Sequence, residues 1–229
     1  MSTGFQVIGA SGAWQADESF ASLALRQKGS TTFTAAGSYN RSAIAGINVG
    51  AGPWETPILA VRSDFPTLVL GMWLNGSQWN YTVVAPNNPQ EGQNAGKSLD
   101  WWLFDRPADL GSTNGLVVRD AAGRVTFDAY QKYLRVRGIQ TKSVNNVVDY
   151  GNGTLAHAST RVGMVTTVTQ VTPGGQYTQL IGFAGAKVTG STVSIGDWGG
   201  HQFVGVLPPD GPFPNVQDGQ FLIVDVTNY

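Results

Sequence analysis

Apolar and polar residues alternate along most of the chain, and the pattern is clearest in Gly115–Gly138. An apolar run over Leu116–Val118 leads into Asp120–Gly123, after which the alternation resumes over Val125–Phe127. Period-two alternation around an Asp-x-x-Gly turn is typical of a β-hairpin with one buried face and one solvent-facing face. Gly123 would supply the positive φ that such a turn requires.

The same pattern occurs at the start of the chain, in Gly4–Gly29. Three of its positions lie at a constant offset from three positions of the later segment: Gly4, Gly12 and Asp17 correspond to Gly115, Gly123 and Asp128. One residue is then added before Phe20, which pairs with Tyr130 in this alignment. We therefore predict a duplicated hairpin unit with an architectural role.

Many short strands are predicted between and after these hairpins, and no useful window has the spacing of an amphipathic helix. Asn75-Gly76 predicts a two-residue turn between Thr67–Leu74, expected to be buried on both faces, and Gln78–Ala85. The other strand candidates are Ser30–Ala36, Ala43–Val49, Leu59–Arg62, Ser98–Phe104, Asn145–Tyr150, Val162–Val171, Gln176–Ala184, Val188–Ile195, Phe203–Leu207 and Phe221–Val226, separated by glycine-rich or proline-rich turns.

This pattern predicts an all-β fold made of two antiparallel β-sandwich-like domains. Each domain would begin with the repeated hairpin. The best boundary lies in the loop at residues 105–114, which gives an N-terminal domain over residues 1–108 and a C-terminal domain over residues 109–229.

The low charge of the chain narrows the function classes. Charged residues make up 13% of the sequence and the net charge is -1, which argues against a nucleic-acid partner because such a partner needs a clustered basic surface. There is no cysteine, so thiolate metal sites and disulfides are excluded. The start of the sequence has no signal-peptide pattern, and its apolar runs are too short for a membrane span. We expect synthesis in the cytoplasm without membrane insertion.

Motifs that would carry chemistry are absent or incomplete. The segment Glu91–Ser98 resembles a phosphate-binding loop, but it has glutamate where the first glycine is required. His157 and His201 are the two histidines. Asp197 lies near His201 in the sequence, but these two residues supply only two ligands, and a catalytic zinc site usually has three protein ligands. No serine lies in a G-x-S-x-G motif. We predict no catalytic residue, no cofactor and no metal, and hence not an enzyme.

Aromatic residues give a different possibility, since the chain has seven tryptophans and seven tyrosines. Trp54 and Trp198 fall in predicted loops, where an exposed aromatic side chain favours a binding role. With His201, they are the candidates for contact with a partner or receptor. The other five tryptophans are predicted to pack in cores or between sheets: Trp14, Trp73, Trp79, Trp101 and Trp102.

Three segments resemble a family of small tail proteins encoded by long-tailed bacteriophages. The start, Gly4–Gly29, looks like the glycine-led first strand and turn of these proteins, although Gly9 stands where an acidic residue or Asn is common and the Ala-Ser-Gly turn lacks the family's Asp. In Trp101–Val136, an aromatic strand ends in Phe-Asp-Arg-Pro, and Gly-Leu-x-Val, Asp-x-x-Gly and Phe-Asp precede a Tyr-Leu-Arg-Val strand. The ending, Phe221–Tyr229, is similar as well. The family supplies no catalytic residues.

The resemblance implies a structural minor tail protein that assembles into the tail tip, the baseplate or the base of a fibre. Its partners would be other phage tail proteins, in a homo-oligomer or hetero-oligomer within the virion. The alternative is a receptor-binding module that recognises a host glycan or pilus through Trp54 and Trp198. A third hypothesis is a lectin domain unconnected with phages.

Overall fold

The computed structural model describes residues 4–9, 12–17, 22–35, 41–89, 92–142, 147–170, 176–206 and 216–229. Side chains are described for residues 22–35, 41–89, 92–142, 147–163, 182–198 and 218–229. These residues form β-strands and connecting turns, with no helix among them, and neighbouring strands in each sheet are antiparallel. The all-β fold class is confirmed.

The described residues form twenty strands. They are β1 (Gly4–Gly9), β2 (Gly12–Asp17), β3 (Ala24–Thr32), β4 (Thr34–Ala35), β5 (Ser42–Gly50), β6 (Ile58–Arg62), β7 (Leu68–Asn75), β8 (Gln78–Asn88), β9 (Gly92–Gln93), β10 (Ser98–Asp105), β11 (Val117–Arg119), β12 (Val125–Asp128), β13 (Arg135–Thr141), β14 (Val147–Asp149), β15 (Leu155–Arg161), β16 (Gly163–Gln170), β17 (Gln176–Thr189), β18 (Thr192–Val206), β19 (Val216–Gln217) and β20 (Gln220–Asp225).

Three large sheets carry most of these strands. The six-stranded sheet has the order β13-β20-β15-β6-β10-β3. A second sheet, which we call the β5–β8 sheet after its two central strands, has the order β4-β5-β8-β7, with β9 paired to β8. The β17–β18 sheet has the order β14-β18-β17-β16-β19, and the pairs β1-β2 and β11-β12 are separate hairpins.

Apolar cores lie on both faces of the central strands of the six-stranded sheet, since successive side chains point to opposite sides, whereas the outer strands β13 and β3 are largely exposed. On one face, Leu59 and Val61 of β6 pack with β5 and β8 in a first core. On the same face, β15 and β20 pack against β17 and β18 in a second core, which includes Phe221. On the other face, Ala60 of β6 and Phe104 belong to a third core.

Strands from both sides of the predicted boundary at residue 108 lie in the six-stranded sheet. β3, β6 and β10 precede the boundary, and β13, β15 and β20 follow it. The two groups meet where β6 pairs with β15 through Val61 and His157. This arrangement does not test whether the groups are separate domains, so the division into residues 1–108 and 109–229 stays a prediction.

The two repeated segments both form hairpins, β1-β2 and β11-β12, and β2 lies beside β11 and β12. Gly123 has the expected positive φ of 78°. The registers differ, however: Asp17 pairs with Gly4, whereas Asp128 pairs with Val117. The turn of the second hairpin is longer and is closed by a hydrogen bond from the Asp120 amide to the Arg124 carbonyl (2.8 Å). Its strands therefore pair in a different register from those of the first hairpin.

The glycine-rich segments after residue 182 were wrongly predicted to be turns. Residues 183–187 lie inside β17 and residues 196–201 lie inside β18, and these strands turn instead at Gly190, whose φ is 59°. Glycine is needed in β17 for packing, since a Cβ on Gly185 would lie 2.3 Å from Cζ3 of Trp198. The predicted turn at residues 172–176 lies almost entirely outside the described residues.

Candidate functional site

Trp54 lies in a loop, as predicted, but its indole is half-buried against the first core. Its Nε1 donates a hydrogen bond to the Gly50 carbonyl (3.3 Å), and the Arg26 guanidinium lies 5.2 Å from the ring centroid. Gly52 lies against the indole so closely that a Cβ there would come within 2.5 Å of Cε2. The indole is therefore held by its own loop and by Arg26, and only part of it is available to a partner.

The predicted loop position of Trp198 is wrong. Trp198 lies within β18, its side chain is 2% exposed in the second core, and its ring packs against Phe183 at a centroid distance of 5.8 Å. A buried indole offers no surface to a receptor. The sequence prediction failed because the glycines around Trp198 resemble a loop, whereas they leave room for the large ring inside a strand pair.

The side chain of His201 lies outside the described residues, and its backbone pairs with Ile181 between β18 and β17. Asp197, considered with it as a ligand pair, forms an ion pair with Lys142. Among the residues that the structure describes, no group of three or more His, Asp or Glu residues is placed to hold a metal ion. The His201 prediction stays untested.

The motifs that carried the family resemblance meet in one hydrogen-bonded junction. The carboxylate of Asp105, from Phe-Asp-Arg-Pro, is fully buried and accepts the amides of Glu55 and Thr56, each at 2.9 Å. Next to it, Arg106 donates from Nη2 to Asp120 Oδ2 (2.7 Å), in the Asp-x-x-Gly turn. The two motifs therefore fix the loop after β5 and the turn after β11 to the end of β10.

The Asp120 carboxylate is the centre of that turn. Its Oδ1 accepts the amides of Ala122 (3.0 Å) and Arg124 (2.8 Å), and its Oδ2 accepts Arg124 Nε (2.8 Å) as well as Arg106. Desolvation alone would raise the pKa of Asp120, but the hydrogen bonds from Arg124 and Ala122 outweigh it and lower the pKa. This carboxylate is engaged in structure and is poorly suited to proton transfer at neutral pH.

An open cavity of about 510 Å³ lies at this junction. Its charged lining consists of Arg26, Arg106, Arg124, Glu55 and Asp109. Glu55 is paired with Arg106 (3.3 Å) and Arg124 (3.4 Å). Asp109 is bound by Arg119 (2.7 Å), whose hydrogen bond is the main cause that lowers its pKa to about 2. Alternating guanidinium and carboxylate groups of this kind suit a neutral, polar ligand better than a strongly charged one.

A chain of buried polar side chains connects β6 to β15 through the loop at Thr67. Ser63 donates its only hydroxyl proton to the Phe65 carbonyl (2.6 Å), so the Thr67 proton is shared by Ser63 Oγ (3.0 Å) and the Ala186 carbonyl (3.4 Å). Thr67 Oγ1 is then an acceptor for His157 Nε2 (2.9 Å), which assigns the Nε2–H tautomer to His157. The Nδ1 atom has no hydrogen-bond partner among the residues that the structure describes.

This arrangement keeps His157 neutral. The side chain is completely buried, and desolvation lowers its pKa to about 3, although a contact with the Ala186 carbonyl acts in the opposite direction. Because no substrate reaches a fully buried imidazole, His157 is a structural residue. The sequence did not predict β15 as a strand, although β15 lies inside the six-stranded sheet.

The edge strand β7 carries the most conspicuous exposed apolar surface. Only its first residues are covered, and Met72, Trp73 and Leu74 are 44%, 46% and 54% exposed. The predictions that β7 is buried on both faces and that Trp73 is a core residue are therefore wrong. The hairpin with β8 is confirmed, but its turn residues are Gly76 and Ser77, with Asn75 paired to Gln78.

The sheet that ends in β7 has an unusual composition that the sequence analysis missed. None of its strands contains Asp, Glu, Lys or Arg, and residues 65–90 form a continuous run without a charged side chain. Such a run in a protein with 14 basic and 15 acidic residues would have been a signal for a surface that is covered by another molecule.

Of the remaining predicted core tryptophans, Trp102 is buried, and Trp79 and Trp101 are half-buried against the first core. The Trp14 side chain lies outside the described residues.

Comparisons with protein-family models, with curated proteins and with solved structures found no match for this chain. None of the described residues belongs to a helix that is long and apolar enough to cross a membrane. The function is therefore inferred from the junction, from the exposed edge and from the motifs themselves.

Proposed function

We propose that this protein is a structural component of a bacteriophage tail, assembled with other tail proteins at the tail tip, the baseplate or the base of a fibre. The observation that carries the proposal is the uncharged β5–β8 sheet, whose edge presents Met72, Trp73 and Leu74 to solvent. A monomeric soluble protein normally protects an edge strand with charged residues or proline. An unprotected apolar edge is instead typical of a subunit that is covered in an assembly.

The junction of Asp105, Arg106 and Asp120 supports the same role. These motif residues bind backbone amides or one another, so their hydrogen-bonding capacity is used within the fold. Residues with that role hold two loops and a hairpin in a fixed arrangement, which is what a scaffold subunit requires. The motif resemblance to tail proteins of long-tailed phages specifies the kind of assembly.

Antibody-gold labelling of intact particles, viewed by electron microscopy, tests the proposal directly. The particles come from a phage whose genome encodes this chain, and serum absorbed with the purified protein is the control. Label confined to one end of the tail is the expected result. Unlabelled particles, in lysates where the protein is abundant, would overturn the assignment to the virion.

A second candidate function is receptor binding, and the observation that favours it is the cavity lined by Arg26, whose guanidinium lies over the Trp54 indole. The arginine and carboxylate side chains of the cavity provide donors and acceptors for a glycan. The Arg124→Ala variant tests this function, because the Arg124 side chain is itself exposed and Asp120 keeps its bonds to Arg106 and to two backbone amides without it. If the cavity binds the receptor, phage adsorption falls by about tenfold or more while particle assembly is unchanged. Arg161→Ala, another exposed arginine, is the matched control.

A further inference from the structure

Among the strands that the structure describes, none pairs with the outer side of β7, and the backbone groups on that side follow a defined pattern. Asn75 and Gln78 close a two-residue turn and therefore form a hydrogen-bonded pair, and alternation along the ladder makes Trp73–Asn80 the next such pair. The N–H and C=O groups of Met72 and Leu74 consequently point away from β8. The bulge of β7 lies between Val69 and Gly71, so the ladder is regular over this outer part.

The exposed side chains are symmetric about Trp73. Met72 and Leu74 share one face of the strand, and Trp73 lies on the other. If a second copy of the strand pairs antiparallel about a two-fold axis at Trp73, each Met72 lies opposite the Leu74 of the other copy. The two Trp73 residues then lie opposite each other. All three exposed apolar side chains of each copy gain an apolar neighbour, and four backbone hydrogen bonds form.

The charge pattern favours a second copy over an unrelated partner. Because residues 65–90 contain no charged side chain, the surface cannot select a partner by ion pairs. A charged strand placed here would lose solvation without gaining an opposite charge. A second copy of β7 is equally uncharged and equally apolar, so it fits this edge without an unpaired charge.

An apolar cavity of about 420 Å³ continues the surface beside Met72. Its lining includes Leu59, Val69, Leu70, Tyr81 and Val162. A strand pair alone buries less than the roughly 800 Å² per partner of a standard interface. The cavity adds apolar area for residues of the second copy that extend past Met72.

We propose that two copies of this protein pair antiparallel through β7, centred on Trp73, which joins their β5–β8 sheets into one continuous sheet. This inference deepens the proposed function, because it names a second copy as one partner in the assembly, but the pairing itself does not depend on a phage tail. The contact is small, so we expect a reversible dimer that becomes stronger when an assembly holds the copies close together.

Disulfide trapping tests the pairing in a chain that has no cysteine of its own. In the Trp73→Cys variant, the two introduced thiols face each other across the two-fold axis, at a separation that a disulfide can span. With diamide as the oxidant, we expect this variant to form covalent dimers at least about tenfold faster than Leu110→Cys, although Leu110 is more exposed than Trp73 (56% against 46%). Equal rates for the two variants would overturn the proposed register.

Sedimentation velocity on the unmodified chain provides a second measurement, because Trp73→Cys removes part of the contact. At protein concentrations up to about 200 µM, we expect the fraction of dimer to rise with concentration. The Leu74→Lys substitution should raise the dissociation constant of the dimer about tenfold or more, and Leu110→Lys should leave it unchanged. A monomer throughout this range would overturn the proposal and leave the edge to a strand of another protein. These outcomes are independent of the particle labelling, so either proposal can fail while the other stands.

Discussion

Acidification is expected to destabilise this protein through a single buried histidine. In the native state, His157 donates from Nε2 to Thr67, and no described residue offers a hydrogen-bond acceptor to a proton on Nδ1. Its pKa is about 3 in the folded chain, against 6.5 for an unperturbed histidine. Between these values the unfolded chain binds a proton that the native protein excludes. The stabilisation is therefore complete above pH 6.5 and is lost as the pH falls from 6.5 towards 3.

The size of the effect follows from proton linkage. For one proton, the free energy of unfolding falls by at most about 1.4 kcal/mol per pH unit as the pH is lowered. Integration from about pH 7.5 to pH 5 gives a loss of about 2 kcal/mol in the free energy of unfolding. That range lies above the pH at which carboxylates take up most of their protons. No charged group contributes to the lowered pKa of His157, so the loss does not require that an ion pair be broken.

Urea unfolding, followed by tryptophan fluorescence at about pH 7.5 and pH 5, measures this loss. A His201→Gln background leaves His157 as the only histidine, and His157→Gln in that background is the comparison. Glutamine keeps an amide group near Thr67 but does not titrate. We expect a loss of about 2 kcal/mol with His157 present and a few tenths without it. Equal losses in both proteins would refute the exclusion of the proton from native His157.

Three further predictions concern the junction and the second core. Asp105→Ala removes the acceptor of two loop amides and should cost about 1–3 kcal/mol in urea unfolding, whereas Asp105→Asn, which keeps one acceptor oxygen, should cost less. Gly185→Ala should cost about 1–3 kcal/mol because its Cβ would meet Trp198, while Gly196→Ala, in open space on the same pair of strands, should stay within about 0.5 kcal/mol. Trp198→Ala should lower the free energy of unfolding by about 3–5 kcal/mol and impair particle assembly as well as adsorption. Loss of adsorption in particles that assemble normally and are stable would contradict the place of Trp198 in the core.

The local pattern of the chain was sufficient to predict the β class and several hairpins. Alternation and turn residues depend on the nearest neighbours in sequence, and the turn at Gly123 has the backbone conformation that its sequence indicated. The turn after β7 was placed one residue too early, because Asn75-Gly76 favours a type I′ turn whereas Gly76-Ser77 fits type II′. Both turns close the same hairpin, so sequence alone did not distinguish them.

Burial was the property that local pattern could not supply. Trp198 is surrounded by glycines and resembles a loop residue, yet the glycines make space for its ring between two long strands. Trp73 is surrounded by apolar residues and resembles a core residue, yet its side chain is 46% exposed because no described sheet covers the end of β7. In each case the decisive neighbours are distant in sequence, and only their position in space determines whether a side chain is buried.

The sequence by itself determined that this protein is built from short antiparallel strands with repeated hairpins, because strand period and turn chemistry are local properties. The tertiary structure decided which residues meet. It joined Asp105 and Arg106 to the turn of the second hairpin, enclosed His157 between sheets and left β7 at an open edge. These contacts bring together residues that are far apart in the chain, so they depend on how the sheets pack and not on the pattern within any one strand.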